Sequence, residues 1–486
     1  MFLLKASHFS CILALILNIQ SITSLPPEIL PGYIFLSPYT GVSWDVSFAH
    51  GPLQPAPYIF SSSGDLVWSG FGYVSGWAGN FQDARYRGED VLFVFEGSRN
   101  ARHGHSHGHV KILDRSYETV REARGGRYSL IDLHEFHVVD EKTALVEIYE
   151  PTPYDLGKYG ARPESQWIVD AVFREIDIET GRLIFEWKSL DLVSPNESDV
   201  PIKSLLYGTG YNSSDALDYF HINSVDCDSE HNYLISGRHT STIYKINGTG
   251  GEIIWRLGGK YSNFSIRENV AFGLQHHARF ISRSSDGDET IISLFDSTGK
   301  ANSEGTGYVS RSSGKLVSLN TRTWRASLLQ SFPAPLDEIF AFSQGSTQIL
   351  PNGAITEFSP NGTVVFHAYL DSGELWEKGY VQNYRGFKFN WTGAPYEEPA
   401  VVAFKLKGGS AVALYVSWNG DTETKWWRFY GVDGEGKAKF VGEIEREGFE
   451  TSFNVKDGGD RLPGAAPLSS NSFATFLFDP ANVNTV

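Results

Sequence analysis

The sequence predicts an all-β protein assembled from many short strands. Aromatic residues make up 14% of its 486 residues, with 12 Trp, 23 Tyr and 32 Phe, and such side chains suit pleated, half-buried surfaces. Glycine is abundant at 49, as a chain that turns often requires. Above all, a strand–turn–strand pattern recurs. It appears as "YIFSSSGDLVWSG" (58–70), "HVKILDRSYETVRE" (109–122), "VFREIDIETGRLIFEWK" (172–188) and "STIYKINGTGGEIIWRLGG" (241–259). It returns as "KLVSLNTRTWRASLLQSF" (315–332), "ITEFSPNGTVVFHAYL" (355–370) and "WWRFYGVDGEGKAKFVGEI" (426–444). Gly, Asn and Asp at the tips supply positive φ at low cost. Hairpins returning roughly every 45–70 residues read as small four-stranded sheets, the blades of a β-propeller. Six blades are expected, or seven if the N-terminal hairpin makes a blade of its own rather than completing another.

Residues 1–24 read as a secretory signal. Lys5 gives the charged start, Cys11–Leu17 a short apolar run, and Ser21–Ser24 small residues for cleavage. The run is too short for a comfortable membrane span. The expectation is a single propeller domain over 25–486, secreted and extracellular, with no membrane anchor in the mature chain. The whole chain carries a net charge of −16; without Lys5 the balance is 40 basic against 57 acidic residues, or −17. That charge disfavours nucleic acid and anionic membranes as partners. Of two cysteines only Cys227 would remain, so no intrachain disulfide is expected. Its acidic neighbours in "VDCDSE" would raise its pKa and leave it unreactive. Glycosylation sequons begin at Asn196, Asn212, Asn247, Asn263, Asn361 and Asn390.

A second recurrence precedes most hairpins. Polar clusters enter strands at "NFQDARY" (80–86), "IDLHEFH" (131–137), "FHINSV" (220–225), "LQHHARF" (274–280) and "FSQGSTQIL" (342–350). In a propeller the first strand of each blade lines the central channel, so its entry end sits at the channel mouth. His134, His221, His276 and Gln344 would then converge on one funnel. Taken singly, each reads more simply as a strand cap or a loop contact. Recurrence is what points to a site.

The stretch "DYFHINSVDCDSEHNYLISGRHTSTIYKINGTGGEIIWRLGGK", followed by "FGLQHHARF", resembles the arylsulfotransferase family in its secreted fungal branch. "DLHEF", "VFREIDIETGRLIFEW", "SQGSTQ" and "YVSWNG" extend the resemblance over most of 50–450. It implies a six-bladed propeller and a transferase that moves a sulfuryl group from a phenolic sulfate ester to a phenol through a sulfated histidine. It also implies independence from the nucleotide sulfate donor. No GxxxxGK phosphate loop is present, in agreement. By motif, the resemblance assigns His276 of "LQHHARF" as the nucleophile. It assigns His221 and Asn223 of "HINS" and Arg238 of "ISGRH" to the sulfuryl oxygens, with His134 of "DLHEF" as a further site histidine and His277 as a neighbour. Against the resemblance, the chain is short by about one inner strand after Gly353.

The chemistry suits these residue types. Sulfuryl transfer, like phosphoryl transfer, has a loose transition state with charge on non-bridging oxygens. Arginine, imidazolium and an Asn amide donate to such oxygens. A neutral imidazole is a competent nucleophile near pH 7, and a second histidine can move the phenol's proton. Small phenols are the expected partners; the sequence does not define an oligomeric state. The alternatives are a secreted propeller that binds a ligand without turnover, or a hydrolase or lyase using the same channel mouth. "RHGHSHGHV" (102–110) places four histidines at alternate positions. No carboxylate or cysteine is near in sequence and no zinc-module spacing matches, so it reads as a loop running into the strand "HVKILD". No metal and no cofactor are assigned.

Overall fold

The computed structural model describes residues 31–40, 55–74, 76–100, 103–200, 202, 207–297, 312–333, 345–348, 356–359, 362–368, 381–405, 411–432, 437–456, 463–469, 472–473 and 484–485. Residues 1–24, Gln344, Gly353 and Asn361 lie outside them. The regular structure of the described residues is nearly all strand, with one α-helical turn at Ser189–Leu192. Each of the seven turn-marked segments forms its antiparallel hairpin.

Five sheets carry four antiparallel strands each, in simple up-and-down order in all but the first, whose outer strand comes from residues 387–389. The first runs Phe387–Phe389, Tyr33–Leu36, Tyr58–Ser61, Leu66–Ser69. The second runs Trp77–Tyr86, Glu89–Asn100, His105–Leu113, Thr119–Ala123. The third is Phe136–Val139, Thr143–Pro153, Trp167–Asp177, Leu183–Lys188. The fourth is Ile222–Cys227, Tyr233–Gly237, Thr242–Ile246, Ile253–Gly258. The fifth is His276–Arg283, Glu289–Asp296, Ser313–Asn320, Arg325–Pro333, extended by a parallel pairing of Ser265–Ile266.

These strands are apolar on both faces because each sheet is sandwiched. Successive side chains of a strand point to opposite faces. Thus Tyr233 and Ile235 pack on Phe173 and Trp187 of the third sheet, while Leu234 between them packs towards Ile292 and Leu294 of the fifth. Likewise Phe93 and Phe95 meet Phe136 and Val146, while Leu92 and Val94 meet Ile59 and Trp68. Each sheet therefore stacks on the next in chain order. The Thr356–Phe358/Val364–His367 hairpin follows the same rule. Its Phe358 touches Phe332 of the fifth sheet at 5.4 Å, and its Phe366 joins Ile34, Tyr58 and Phe60 of the first.

Strands from Ala400 onward pair with one another and, among the described residues, with no earlier strand. One sheet runs Glu450–Lys456, Ala411–Ser417, Ala400–Lys405, Asn484–Thr485; the other Ala438–Glu445, Trp426–Val432, Pro463–Ser469, Ser472–Phe473. Leu414 and Val416 of one and Trp427 and Phe429 of the other share a core. The loop from Trp418 docks this pair on the first and second sheets. Asn419 exchanges two bonds with the Ser69 backbone, at 2.7 and 3.0 Å, and Gly420 O accepts from Tyr117 Oη at 2.7 Å. Gly420 has φ +98°, and a Cβ there would meet the Tyr117 ring at 2.2 Å, so only glycine fits this approach.

Candidate active site

The first strands of the second, fourth and fifth sheets share a device. Each has a register shift near its entry: after Gly79, after Ile222 and after His276. A bulge inserts unpaired residues and re-aims their side chains. Here the residues after the shift begin with Asn80, Asn223 and His277. Asn80 and His277 lie in the left-handed region at φ 49° and 54°, as does His221 at 53° just before its strand. Bonds between neighbouring first strands lock the entries together. Val225 N donates to Glu135 at 3.2 Å, Ala278 N to Ser224 at 3.0 Å, and Phe280 N to Asp226 at 2.7 Å.

Two histidines are held by carboxylates in the same way. Asp132 accepts the backbone N–H of His134 at 2.8 Å and also meets its ring Nδ1. Asp218 accepts the backbone N–H of His221 at 2.9 Å and bonds ring Nδ1 at 2.5 Å. In each ring Nδ1 is occupied, which leaves Nε2 as the working nitrogen. Asp218 also bonds His105 Nε2 at 2.9 Å, and its carbonyl bonds His239 Nδ1 at 2.8 Å. Burial alone would raise the Asp218 carboxyl, but His221 and His239 beside it hold it well below the usual range.

The rings converge. His134 and His221 meet edge to face at 5.1 Å, and His221 lies 4.7 Å from His239. Arg238 bonds His239 Nε2 at 2.7 Å. His276 bonds Ser297 Oγ through Nδ1 at 2.9 Å. Burial holds its pKa well below the ordinary histidine value, helped by the positive charge of Arg238 and by His221, His134 and Arg385 nearby. That environment favours the neutral imidazole over the charged one. Burial likewise pushes His221 down to about 4, although Asp218 pulls it up.

The floor of the cluster is ionic. Glu135 accepts from Arg279 at 2.7 Å and from Arg385 at 3.2 Å. Arg385 also donates to Asn223 O at 2.7 Å. Asn223 spends one amide N–H on Gln275 O at 2.7 Å. Tyr149 and Tyr384 complete the wall, 5.7 and 4.9 Å from the His134 ring. His276 is 1% exposed and Arg238 3%. The open surface hollows, such as the one lined by Tyr86, Arg121 and Glu179, stand away from the cluster.

The structure thus gathers His134, His221, Asn223, Arg238 and His276. His277 turns aside, bonding Thr347 O at 3.0 Å. The histidines are offset by one residue: His276 is the first paired residue of its strand, whereas His221 precedes Ile222, its counterpart. The run at 102–110 requires a correction. It is strand from His105, not a loop, and it has carboxylates beside it in space: His105 bonds Asp218 and His103 meets Asp215 at 3.0 Å. Asp132, Asp218, Tyr149, Tyr384 and the Glu135–Arg385 pair are not singled out by the sequence. The spacings D-x-H and D-x-x-H were the available signal. Of the sequons, Asn196, Asn212, Asn263 and Asn390 are exposed and Asn247 half-buried. Cys227 has its thiol pushed up to about 12, by burial first and then by Glu175, Asp226 and Asp228.

The arylsulfotransferase (ASST) family model matches residues 82–370, more than half of the sequence. The chain belongs to the arylsulfotransferase family. Every histidine of the cluster lies inside that span. No curated protein matches the chain. Solved structures similar to it include a protein of unknown function from Bacteroides caccae, 10% identical, covering 74% of this chain and 99% of that one at TM-score 0.39. The Dos1 propeller is 12% identical over 70% of this chain and 75% of its own, at 0.28. A glycoside hydrolase is 8% identical over 82% and 96%, at 0.27.

Proposed function

We propose that this chain is a secreted, glycosylated aryl sulfotransferase of the family's fungal branch that works without the nucleotide sulfate donor, through a sulfohistidine at His276. The scaffold would be a six-bladed propeller. Five four-stranded sheets stack in order, the hairpin at 356–367 touches both the fifth and the first, and Phe387–Phe389 pairs with the N-terminal Tyr33–Leu36. The two sheets after Ala400 would be an appended module.

The observation that carries the mechanism is the buried His276 beside Arg238 and two carboxylate-held histidines, surroundings that favour its neutral form. His276 Nε2 attacks the sulfur of an aryl sulfate, the N–S bond forms and the S–O bond to the aryl group breaks. The phenolate leaves and takes a proton from water. Arg238 and the Asn223 amide stabilise the non-bridging oxygens. With Nδ1 still protonated, the sulfated ring is cationic and a good leaving group. The second phenol gives its proton to His221 Nε2 as its oxygen attacks sulfur and the N–S bond breaks.

The test is incubation of the mature protein with a chromogenic aryl sulfate, with and without a second phenol. Ping-pong kinetics are expected, with a sulfuryl adduct on the peptide holding His276 after donor alone. Full activity in His276→Ala would remove the nucleophile assignment. No turnover of any aryl sulfate would favour a ligand-binding propeller.

A further inference from the structure

One group in the cluster has no role in that chemistry. Glu147 lies in the Thr143–Pro153 strand, on the same face as Tyr149, which stacks on His105. Its side chain is fully buried, and neither carboxylate oxygen has a hydrogen-bond partner among the described residues. An unpartnered buried carboxyl is costly in either protonation state. The nearest basic groups are committed elsewhere: Arg385 to Glu135 and Asn223 O, Arg279 to Glu135. What Glu147 does have is company suited to a cation. One ligand atom each from Asp132, His134 and Glu147 lie within 4.8 Å of one another, all three residues buried.

We propose that Asp132, His134 and Glu147 hold a divalent transition-metal cation of the zinc or manganese class beside the histidine cluster. Two carboxylates and a dication balance in charge, which removes the cost of burying the acids together. One imidazole nitrogen and two oxygens form a borderline donor set. It suits zinc or manganese rather than calcium or magnesium, which prefer oxygen alone. Three protein ligands leave a coordination position open, as catalytic sites do and structural zinc sites do not. The neighbours already supply outer support, since Asp132 is held by the backbone N–H of Ser106 as well as by His134. The ligands come from residues 132–134, just before the Phe136–Val139 strand, and from 147 within the adjoining Thr143–Pro153 strand, so no compact metal spacing shows in the sequence. The site stands on Glu147 and its neighbours and does not depend on the transfer chemistry.

The test measures binding without substrate. Full-length mature protein is stripped with a chelator and titrated with zinc or manganese by calorimetry, with metal counted by mass spectrometry. One equivalent is expected, with proton release and a rise in melting temperature. Glu147→Gln should lose about 100-fold or more in affinity, at least the loss typical of removing an outer-shell partner. The stripped variant should melt no lower than stripped wild type, which shows that it folds. His105→Asn should bind as wild type does. Absence of binding by wild type, or equal affinity in Glu147→Gln, overturns the proposal. So does loss of binding in His105→Asn with retention in Glu147→Gln, which would put the cation on His105, Asp218 and His221 instead.

Discussion

Glu135 is the anion on which the floor of the site is built, and replacing it by glutamine tests that construction. Its side chain is wholly buried between two guanidinium groups, from Arg279 of the fifth sheet and Arg385 just before the first. Burial alone would raise its carboxyl, but the two arginines hold it below the usual range. Glu135→Gln keeps the volume and removes the charge that both cations face. Breaking a buried ion pair by removing one partner costs about 3–5 kcal/mol, because the other charge is left uncompensated. Arg385→Met alone should cost less, about 1–3 kcal/mol, since Glu135 keeps Arg279 and the main loss is the bond to Asn223 O. In the double variant one of the two stranded cations is gone and Arg279 remains, so the combined loss should fall short of the sum by about 1–3 kcal/mol. Urea unfolding at pH 7, followed by tryptophan fluorescence and by circular dichroism, measures all three. A loss below about 1 kcal/mol for Glu135→Gln, or additivity within about 0.5 kcal/mol, would refute the claim that this network joins the sheets.

Other outcomes follow from single groups. Asp83 is lifted to about 7, mainly by burial and then by Asp90, so the folded state holds its proton more tightly than the unfolded chain does. Its contribution to stability is complete below the unfolded value of 3.8 and falls as pH rises to 7. Asp83→Asn should therefore gain on wild type by about 2–3 kcal/mol between pH 5 and pH 8 in paired urea titrations; a constant gap would contradict the shift. Cys227 should react with iodoacetamide at pH 8 about 10³-fold more slowly than in unfolded protein, and rapid labelling of the native chain would contradict its raised thiol. Arg238→Ala should lower kcat for aryl sulfate by about 10²–10³, as loss of one oxyanion donor does; an effect confined to KM would make it a binding residue only.

Much of this was legible because local chemistry and fold agree. Turn residues such as Asn247-Gly248 and Asn361-Gly362 mark hairpins wherever they occur, and alternation cannot mislead when both faces of a sheet are buried. The cluster was legible for a different reason. Histidine, arginine and asparagine have no business at the entry of an apolar strand unless several entries meet. What stayed hidden depends on distance in space. Asp218 collects His105, His221 and His239, and nothing at 105 says that residue 218 will be there. The pairing of Tyr33–Leu36 with Phe387–Phe389 spans most of the chain and has no local signal. The hairpin at 426–444 carries the same turn chemistry as the others, so its membership in a separate pair of sheets could not be read from its own residues.

The strained entries explain why the site sits where it does. A regular strand presents every second side chain to one face, so it can offer the centre only alternate residues. Drawing a further residue from the other face into the site has to break that alternation. The register shifts after Gly79, Ile222 and His276 do so. They carry a cost, since non-glycine residues in the left-handed region, Asn80, His221 and His277, are each disfavoured by about 1 kcal/mol or more. The sandwiched sheets on either side can hold His221 and His277 there because the first strands of the third, fourth and fifth sheets are bonded to one another through Glu135, Ser224 and Asp226. Glycine would relieve the strain at His221, yet it would also remove the ring that Asp218 orients. The strain and the function therefore belong to the same residue, and no substitution at that position can relax one without losing the other.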